Sequence, residues 1–265
     1  MHTDVSNAQV AQYQENGFLI MEEFLNADEL ARWRSAVKAA AQARIENPEE
    51  KSNLDDDGYY RSVFTQLSGL RRLSAGVEEL LLDPRIGELA ARLAGTDGVR
   101  LWNDQALFKP PFGNPTAWHF DMPKWSFDDE RALTVWVALE DATLENGCMW
   151  YVPGSQKTAR LESIPLGPNL GAVFEGYPEW LEVDTVPAVL PAGGAVWHSG
   201  LTAHGAGANM TPRPRDAMTC AYMPVEVTYN GRRDDFVISE EYEAKLSVGD
   251  PLDDEEIFPI VWQRS

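Results

Sequence analysis

The sequence predicts a mainly β protein with α, in which an N-terminal helical layer packs on a jelly roll of two facing antiparallel sheets. Three observations carry this. Residues 1–95 place apolar positions at helical spacing between cap residues, whereas after Gly95 short apolar or alternating runs recur between Gly/Pro turns. No repeat and no low-complexity linker divides the chain. At 265 residues and 44% hydrophobic it suits one large sandwich or barrel domain, spanning 1–265.

Taken in order, residues 8–15 form a short polar helix leading to the apolar strand Phe18-Leu19-Ile20-Met21. Asn26-Ala27-Asp28-Glu29 is an N-cap with a capping-box acid, and Leu30, Trp33, Val37 and Ala40 behind it share one helix face. Residues 47–58 are charged and predict a loop; 63–82 predict a further helical region. Asp83-Pro84 opens another helix through Ile86, Leu89, Leu93 and Ala94, with proline at the first helical position. Strands are expected at 99–108, 133–139, 148–152, 183–189, 194–197 and 217–223, which makes 96–230 the jelly-roll core. The remainder, 231–265, is expected to be an acidic surface extension, its charge concentrated at 234–256.

The formal charge of −20, from 42 acidic and 22 basic residues, repels nucleic acid and anionic membranes and favours solubility. An anionic ligand must therefore be caught by a local cation. Two cysteines, Cys148 and Cys220, form no metal-type spacing and no disulfide framework, which fits a reducing compartment. The N-terminus lacks a basic region and an apolar run, and no stretch reaches the roughly 20 apolar residues of a membrane span. The expectation is a cytoplasmic protein with a small-molecule partner and neither a nucleic-acid nor a membrane partner.

The stretch Ala117-Trp118-His119-Phe120-Asp121-Met122-Pro123 carries the chemistry. On a strand, His119 and Asp121 would face one side and Phe120 the other. With a second histidine from a distant strand they make two imidazoles and one carboxylate, the ligand set of a mononuclear non-haem Fe(II) site with open positions. Four histidines occur; His2 lies at the terminus, leaving His198 and His204. His204 precedes Gly205-Ala206-Gly207, where small residues let backbones approach, and Arg215 follows eleven residues on. His198 shares its strand parity, so periodicity leaves both open.

Lys109-Pro110-Pro111, Trp118-His119-Phe120-Asp121, Asn146-Gly147-Cys148, Val152-Pro153-Gly154-Ser155, the block His198–Asn209 and Arg213-Pro214-Arg215 occur in the order of the phytanoyl-CoA dioxygenase family of Fe(II)/2-oxoglutarate oxygenases. The sequence resembles that family over about half its length, and residues 12–18 are similar to its start. The resemblance implies a double-stranded β-helix (cupin-like) core and iron held by His119, Asp121 and His204, with His198 supporting or packing. It implies Arg215 as the anchor of the 2-oxoglutarate 5-carboxylate, Arg213 as the fallback, and Lys109 and Trp136 near that cosubstrate. A guanidinium suits a carboxylate through a bidentate, charge-assisted pair.

The activity so implied is hydroxylation of an unactivated C–H bond with O2, 2-oxoglutarate becoming succinate and CO2. Related halogenases carry a small residue where Asp121 stands, so halogenation is not expected. Met122-Pro123-Lys124-Trp125 and Gln156 depart from the usual family residues and bear on substrate rather than reaction. Trp118, Trp125, Trp150 and Trp197 are expected to wall an apolar pocket. Tyr59, Tyr60 and Arg61 are expected near its entrance, where Arg61 or Lys124 would clamp a substrate carboxylate. No basic patch for a CoA phosphate is visible. Two other readings fit parts of this pattern: a cupin-like binding or isomerase module without redox chemistry, and a hydrolase holding zinc at the same triad.

Overall fold

The computed structural model describes residues 1–46, 62–162 and 167–264. The segment expected to be a charged loop, with Tyr59, Tyr60 and Arg61, lies outside the described residues.

Local chemistry accounts for the N-terminal elements. Helix α1 (Asn7–Asn16) starts at a Ser6/Gln9 capping box and ends at Gly17, whose φ of 81° is left-handed. A side chain at Gly17 would stand 2.4 Å from Gln156 Oε1 and Thr202 Oγ1, so only glycine lets the chain turn straight into β1 (Phe18–Met21). Helix α2 (Ala27–Glu46) carries the expected box: Asn26 Oδ1 accepts from the Glu29 N–H at 2.9 Å, and Glu29 Oε2 from the Asn26 N–H at 3.1 Å. Its inner face buries Trp33, Val37, Ala40 and Ala41, and full burial of such side chains contributes about 1.5–3 kcal/mol for each large one. The stretch 63–82 is not one helical region. It begins as β2 (Thr65–Ser68), turns through a short 3-10 segment, and only then forms α3 (Ala75–Leu81) from an N-cap at Ser74. Pairing of β2 with the next strand overrides the local helical pattern. Helix α4 (Pro84–Ala94) follows Asp83 and Pro84 as expected.

Nine further strands complete the β framework: β3 (Gly98–Lys109), β4 (Thr116–His119), β5 (Leu133–Ala138), β6 (Met149–Tyr151), β7 (Val186–Ala188), β8 (Ala195–Ser199), β9 (His204–Ala206), β10 (Arg215–Pro224) and β11 (Ile260–Gln263). A seven-stranded antiparallel sheet runs β1-β8-β5-β10-β3-β11, with β2 also on β3; a four-stranded sheet runs β4-β9-β6-β7. This is the jelly-roll architecture, with helices on one side.

Alternation along the large sheet sorts its residues into two environments. Leu133, Val135, Val137, Trp197, Met218, Cys220 and Tyr222 join the core shared with Trp33, Val37, Leu89 and Leu93 of the helices. Thr134, Trp136, His198, Arg215 and Thr219 face the other way and line a cavity. Trp197, expected in a pocket wall, is instead a helix-side core ring, edge-on to Phe24 at 6.1 Å.

The C-terminal segment is not a surface extension. Val237, Ile238, Leu252 and Phe258 are buried, Phe258 stacks on Trp102 at 5.2 Å, and β11 pairs with β3. The apolar positions spaced between its acidic residues pack into the cluster that holds Trp102, Phe127 and Met223. No helix among the described residues is long and apolar enough to cross a membrane.

Candidate metal centre

His119 is the last residue of β4 and stands directly opposite His204, the first residue of β9. Asp121 does not continue the strand. Its backbone is helical (φ −82°, ψ −40°), it precedes a 3-10 turn at Met122–Lys124, and the N–H groups of Asp121 and Met122 both donate to Gly200 O at 2.9 Å. The shared-face geometry expected of a continuous strand is thus replaced by a turn, which swings the carboxylate back toward both imidazoles. Phe120 does point away, packing edge-on against Tyr177 and Trp180. Asp121 Oδ1 lies 3.6 Å from His119 Nε2 and 3.8 Å from His204 Nε2. One donor atom from each of the three residues falls within 4.8 Å of the other two. A side chain at Gly205 would come within 3.1 Å of Thr116 O, so glycine there permits the close β4–β9 approach on which the pair depends.

Backbone carbonyls set the tautomers. His119 Nδ1 donates to Ala117 O at 2.8 Å and His204 Nδ1 to Thr202 O at 2.9 Å, because a carbonyl only accepts. The Nε2 lone pairs are left facing Asp121. Burial, reinforced by Lys124, pushes the His119 imidazole down to about 4, and burial with His119 alongside holds His204 well below its ordinary value. Burial alone would raise Asp121, but the imidazoles of His204, His198 and His119 outweigh it and hold the carboxyl below the usual range. Neutral imidazoles and an ionised carboxylate are the protonation states that metal binding requires.

The three residues line a cavity of about 460 Å³. Arg215 lines it too, is 2% exposed, and has Nε and Nη1 without hydrogen-bond partners; its Cζ sits 5.1 Å over the Trp136 ring. Burial lowers the guanidinium to about 10, so it remains charged at neutral pH. Arg213, the fallback anchor, is exposed and does not line the cavity, because it precedes β10, which begins only at Arg215. Lys109, opposite Arg215 in the register, is fully buried behind the cavity wall and donates to Asn114 O at 2.5 Å. Lys124 and Trp125 line the cavity; Trp118, half-buried against Phe174, and Trp150 do not.

Burial, with Arg215 nearby, lowers the Lys109 ammonium to about 7. Because its unfolded value is higher, the unfolded chain binds the extra proton between about pH 7 and pH 10, and this residue makes stability rise with pH across that window. Lys109→Met is expected to flatten that rise, seen as a smaller difference between melting temperatures at pH 7 and pH 9; an unchanged difference would show that Lys109 is not the group responsible.

His198, expected to support or pack, lines the cavity, and several residues without a sequence signal join it. His198 Nε2 is 3.4 Å from Asp121 Oδ2, and Thr134 Oγ1 donates to the same oxygen at 3.3 Å. Asn103 and Gln105 of β3 line one wall, and Arg232–Phe236 reach the cavity from the C-terminal segment. Strand parity could have found Thr134; nothing local marks residues 232–236.

Comparisons with known proteins bear on the family and the fold. The family model described as phytanoyl-CoA dioxygenase (PhyH) matches residues 13–217. An ectoine dioxygenase of Nocardia farcinica is 30% identical over 250 residues, covering 85% of this chain and 80% of its own. The structure of SnoK, a non-heme alpha ketoglutarate dependent carbocyclase from nogalamycin biosynthesis, superposes with a TM-score of 0.80 at 29% identity over 97% of this chain and 96% of that one. The epimerase SnoN in complex with Fe3+, alpha ketoglutarate and nogalamycin RO gives 0.76 at 30% identity over 96% and 97%.

Proposed function

Because the chain belongs to the phytanoyl-CoA dioxygenase family, we propose that it is a non-haem Fe(II)- and 2-oxoglutarate-dependent oxygenase that hydroxylates an unactivated C–H bond of a small-molecule metabolite or biosynthetic intermediate. The observation that carries this reading is one cavity holding both the His119/Asp121/His204 donor cluster and a buried guanidinium with unpartnered N–H groups.

The residues fit the implied groups. Two neutral imidazoles and one carboxylate are the donor set that ferrous iron takes while keeping positions open, and they leave such an ion one net positive charge, which favours a further anionic chelator. Arg215, stacked on Trp136, supplies the fork that a distal carboxylate needs and has no competing acceptor at Nε or Nη1. When bound, iron and 2-oxoglutarate would supply O2 activation, the cosubstrate leaving as succinate and CO2. The protein's share is to place the target carbon and exclude water. Trp125, Pro123, Phe64 and Phe236 supply apolar walls for this, while Asn103, Gln105 and Lys124 supply polar contacts.

A CoA thioester is disfavoured. Arg232 and Arg233, the cations of the C-terminal segment at the cavity, are already paired with Asp128 and with Asp235 and Glu243. Neither is free for a phosphate. Buried free thiols at Cys148 and Cys220 suit a cytoplasmic setting.

Hydroxylation has one rival within the same chemistry. The near full-length likeness to a carbocyclase and an epimerase favours, as a second reading, ring closure or epimerisation after the same C–H attack. Once a substrate is found by stimulated succinate release, mass spectrometry separates these outcomes: hydroxylation adds one oxygen from O2, closure removes two hydrogens, and epimerisation leaves the mass unchanged. Succinate formation is expected to require both Fe(II) and O2. Turnover of a substrate that continues anaerobically, or with zinc in place of iron, would instead support a hydrolase. Protein that binds neither Fe(II) nor 2-oxoglutarate would support a non-redox cupin-like module.

A further inference from the structure

The two oxygens of Asp121 stand in different surroundings. Oδ1 faces His119 and His204, whereas Oδ2 faces His198 Nε2 at 3.4 Å and receives the Thr134 hydroxyl at 3.3 Å. His198 is 2% exposed, and its Nε2 has no partner within hydrogen-bonding geometry, Asp121 Oδ2 at 3.4 Å being the near acceptor. It is also outside the set of donor atoms that cluster within 4.8 Å, so it is not placed as a fourth ligand.

The other ring nitrogen is engaged. Tyr151 Oη lies 3.2 Å from His198 Nδ1. A phenol that donates to Nδ1 would leave the imidazole proton on Nε2, the ring nitrogen that lies 3.4 Å from Oδ2. The partners are held in turn: the Tyr151 ring stacks on Phe18 at 4.8 Å with an interplanar angle of 20°, Phe18 stands opposite His198 in the β1–β8 register, and Thr134 stands opposite His198 between β5 and β8. Four strands thus converge around Oδ2, with the His198 ring also 4.5 Å and the Tyr151 ring 5.9 Å from that of His204.

Resting on the iron reading above, we propose that His198, with its tautomer set by Tyr151, is a positioning residue that keeps Asp121 turned so that Oδ1 alone faces the metal. A carboxylate limited to one oxygen occupies one coordination position instead of two. The other positions of a bound ion would then be open to the keto acid and O2. Groups that orient a metal ligand in this way are part of the site although they never touch the ion.

The test compares wild type with His198→Phe, His198→Gln and Tyr151→Phe by anaerobic titration with ferrous ammonium sulfate, by the visible charge-transfer absorption on adding 2-oxoglutarate, and by metal-free melting. His198→Phe is expected to weaken Fe(II) binding about 10- to 100-fold and to shift the absorption band. His198→Gln retains an N–H able to reach Oδ2 and is expected to recover most of both. Tyr151→Phe, which keeps the ring on Phe18, is expected to change them in the same direction by less. Wild-type affinity and band in His198→Phe would overturn the proposal. So would equal losses in His198→Phe and His198→Gln accompanied by lower metal-free melting, since that marks packing alone. Failure of wild type itself to bind Fe(II) and 2-oxoglutarate would overturn the iron reading, whereas normal wild-type binding with an indifferent His198→Phe overturns only the positioning role.

Discussion

In Asp121→Ala protein, Fe(II)-dependent conversion of 2-oxoglutarate to succinate is expected to fall by well over 100-fold. Loss of a group that merely orients a ligand costs about 10- to 100-fold in metal affinity or activity, and this change removes the cluster's sole anionic donor. Oδ1 is the atom that links His119 and His204, at 3.6 and 3.8 Å. Without it two neutral imidazoles remain, and they hold a ferrous ion far less tightly. Alanine adopts the helical φ and ψ of this position without strain, and the hooks from residues 121 and 122 to Gly200 O use backbone only. Melting should therefore show a folded protein, and His119→Ala should behave alike. Wild-type succinate formation in either variant would end the assignment.

Arg215→Met should produce two effects of opposite sign. The wild-type guanidinium is 2% exposed and lacks partners at Nε and Nη1, a state that costs stability until an anion arrives. Methionine fills similar volume without that cost. The ligand-free variant is expected to melt higher by roughly 2–4 °C for each ~1 kcal/mol gained. Binding of 2-oxoglutarate should weaken by about 30-fold or more, because truncating one partner of a buried charge pair costs about 2–5 kcal/mol. Thermal scans with and without 2-oxoglutarate report both at once. A variant that melts lower yet keeps its cosubstrate-induced shift would place the anchor elsewhere.

These expectations draw on residues whose visibility in the sequence differed for physical reasons. The Asn26/Glu29 cap, the Asp83-Pro84 start and the strand at residues 18–21 depend on neighbours a few positions apart, and they lie where local chemistry places them. The stretch 63–82 departed from its pattern because β2 is made by its pairing with β3, a contact across more than thirty residues. The tail beyond residue 231 is packed rather than a surface extension for a similar reason. Its charges dominate the composition, while four buried apolar residues and β11 attach it to the barrel.

The chemistry was written in residue types: His119, Asp121, His204 and Arg215 are the donors and the cation, and which chemical groups meet is a property of the side chains themselves. How they meet was settled by folding. Asp121 reaches the imidazoles through a turn pinned to Gly200 O, not through strand alternation. Arg215 faces the cavity and Arg213 does not because β10 starts between them. The pairing of His198 with the outer oxygen of Asp121 exists only because β8 lies beside β5 and opposite the β4–β9 ends. Side-chain identity travels with the chain, but distances between residues remote in sequence arise only when strands choose their partners and registers.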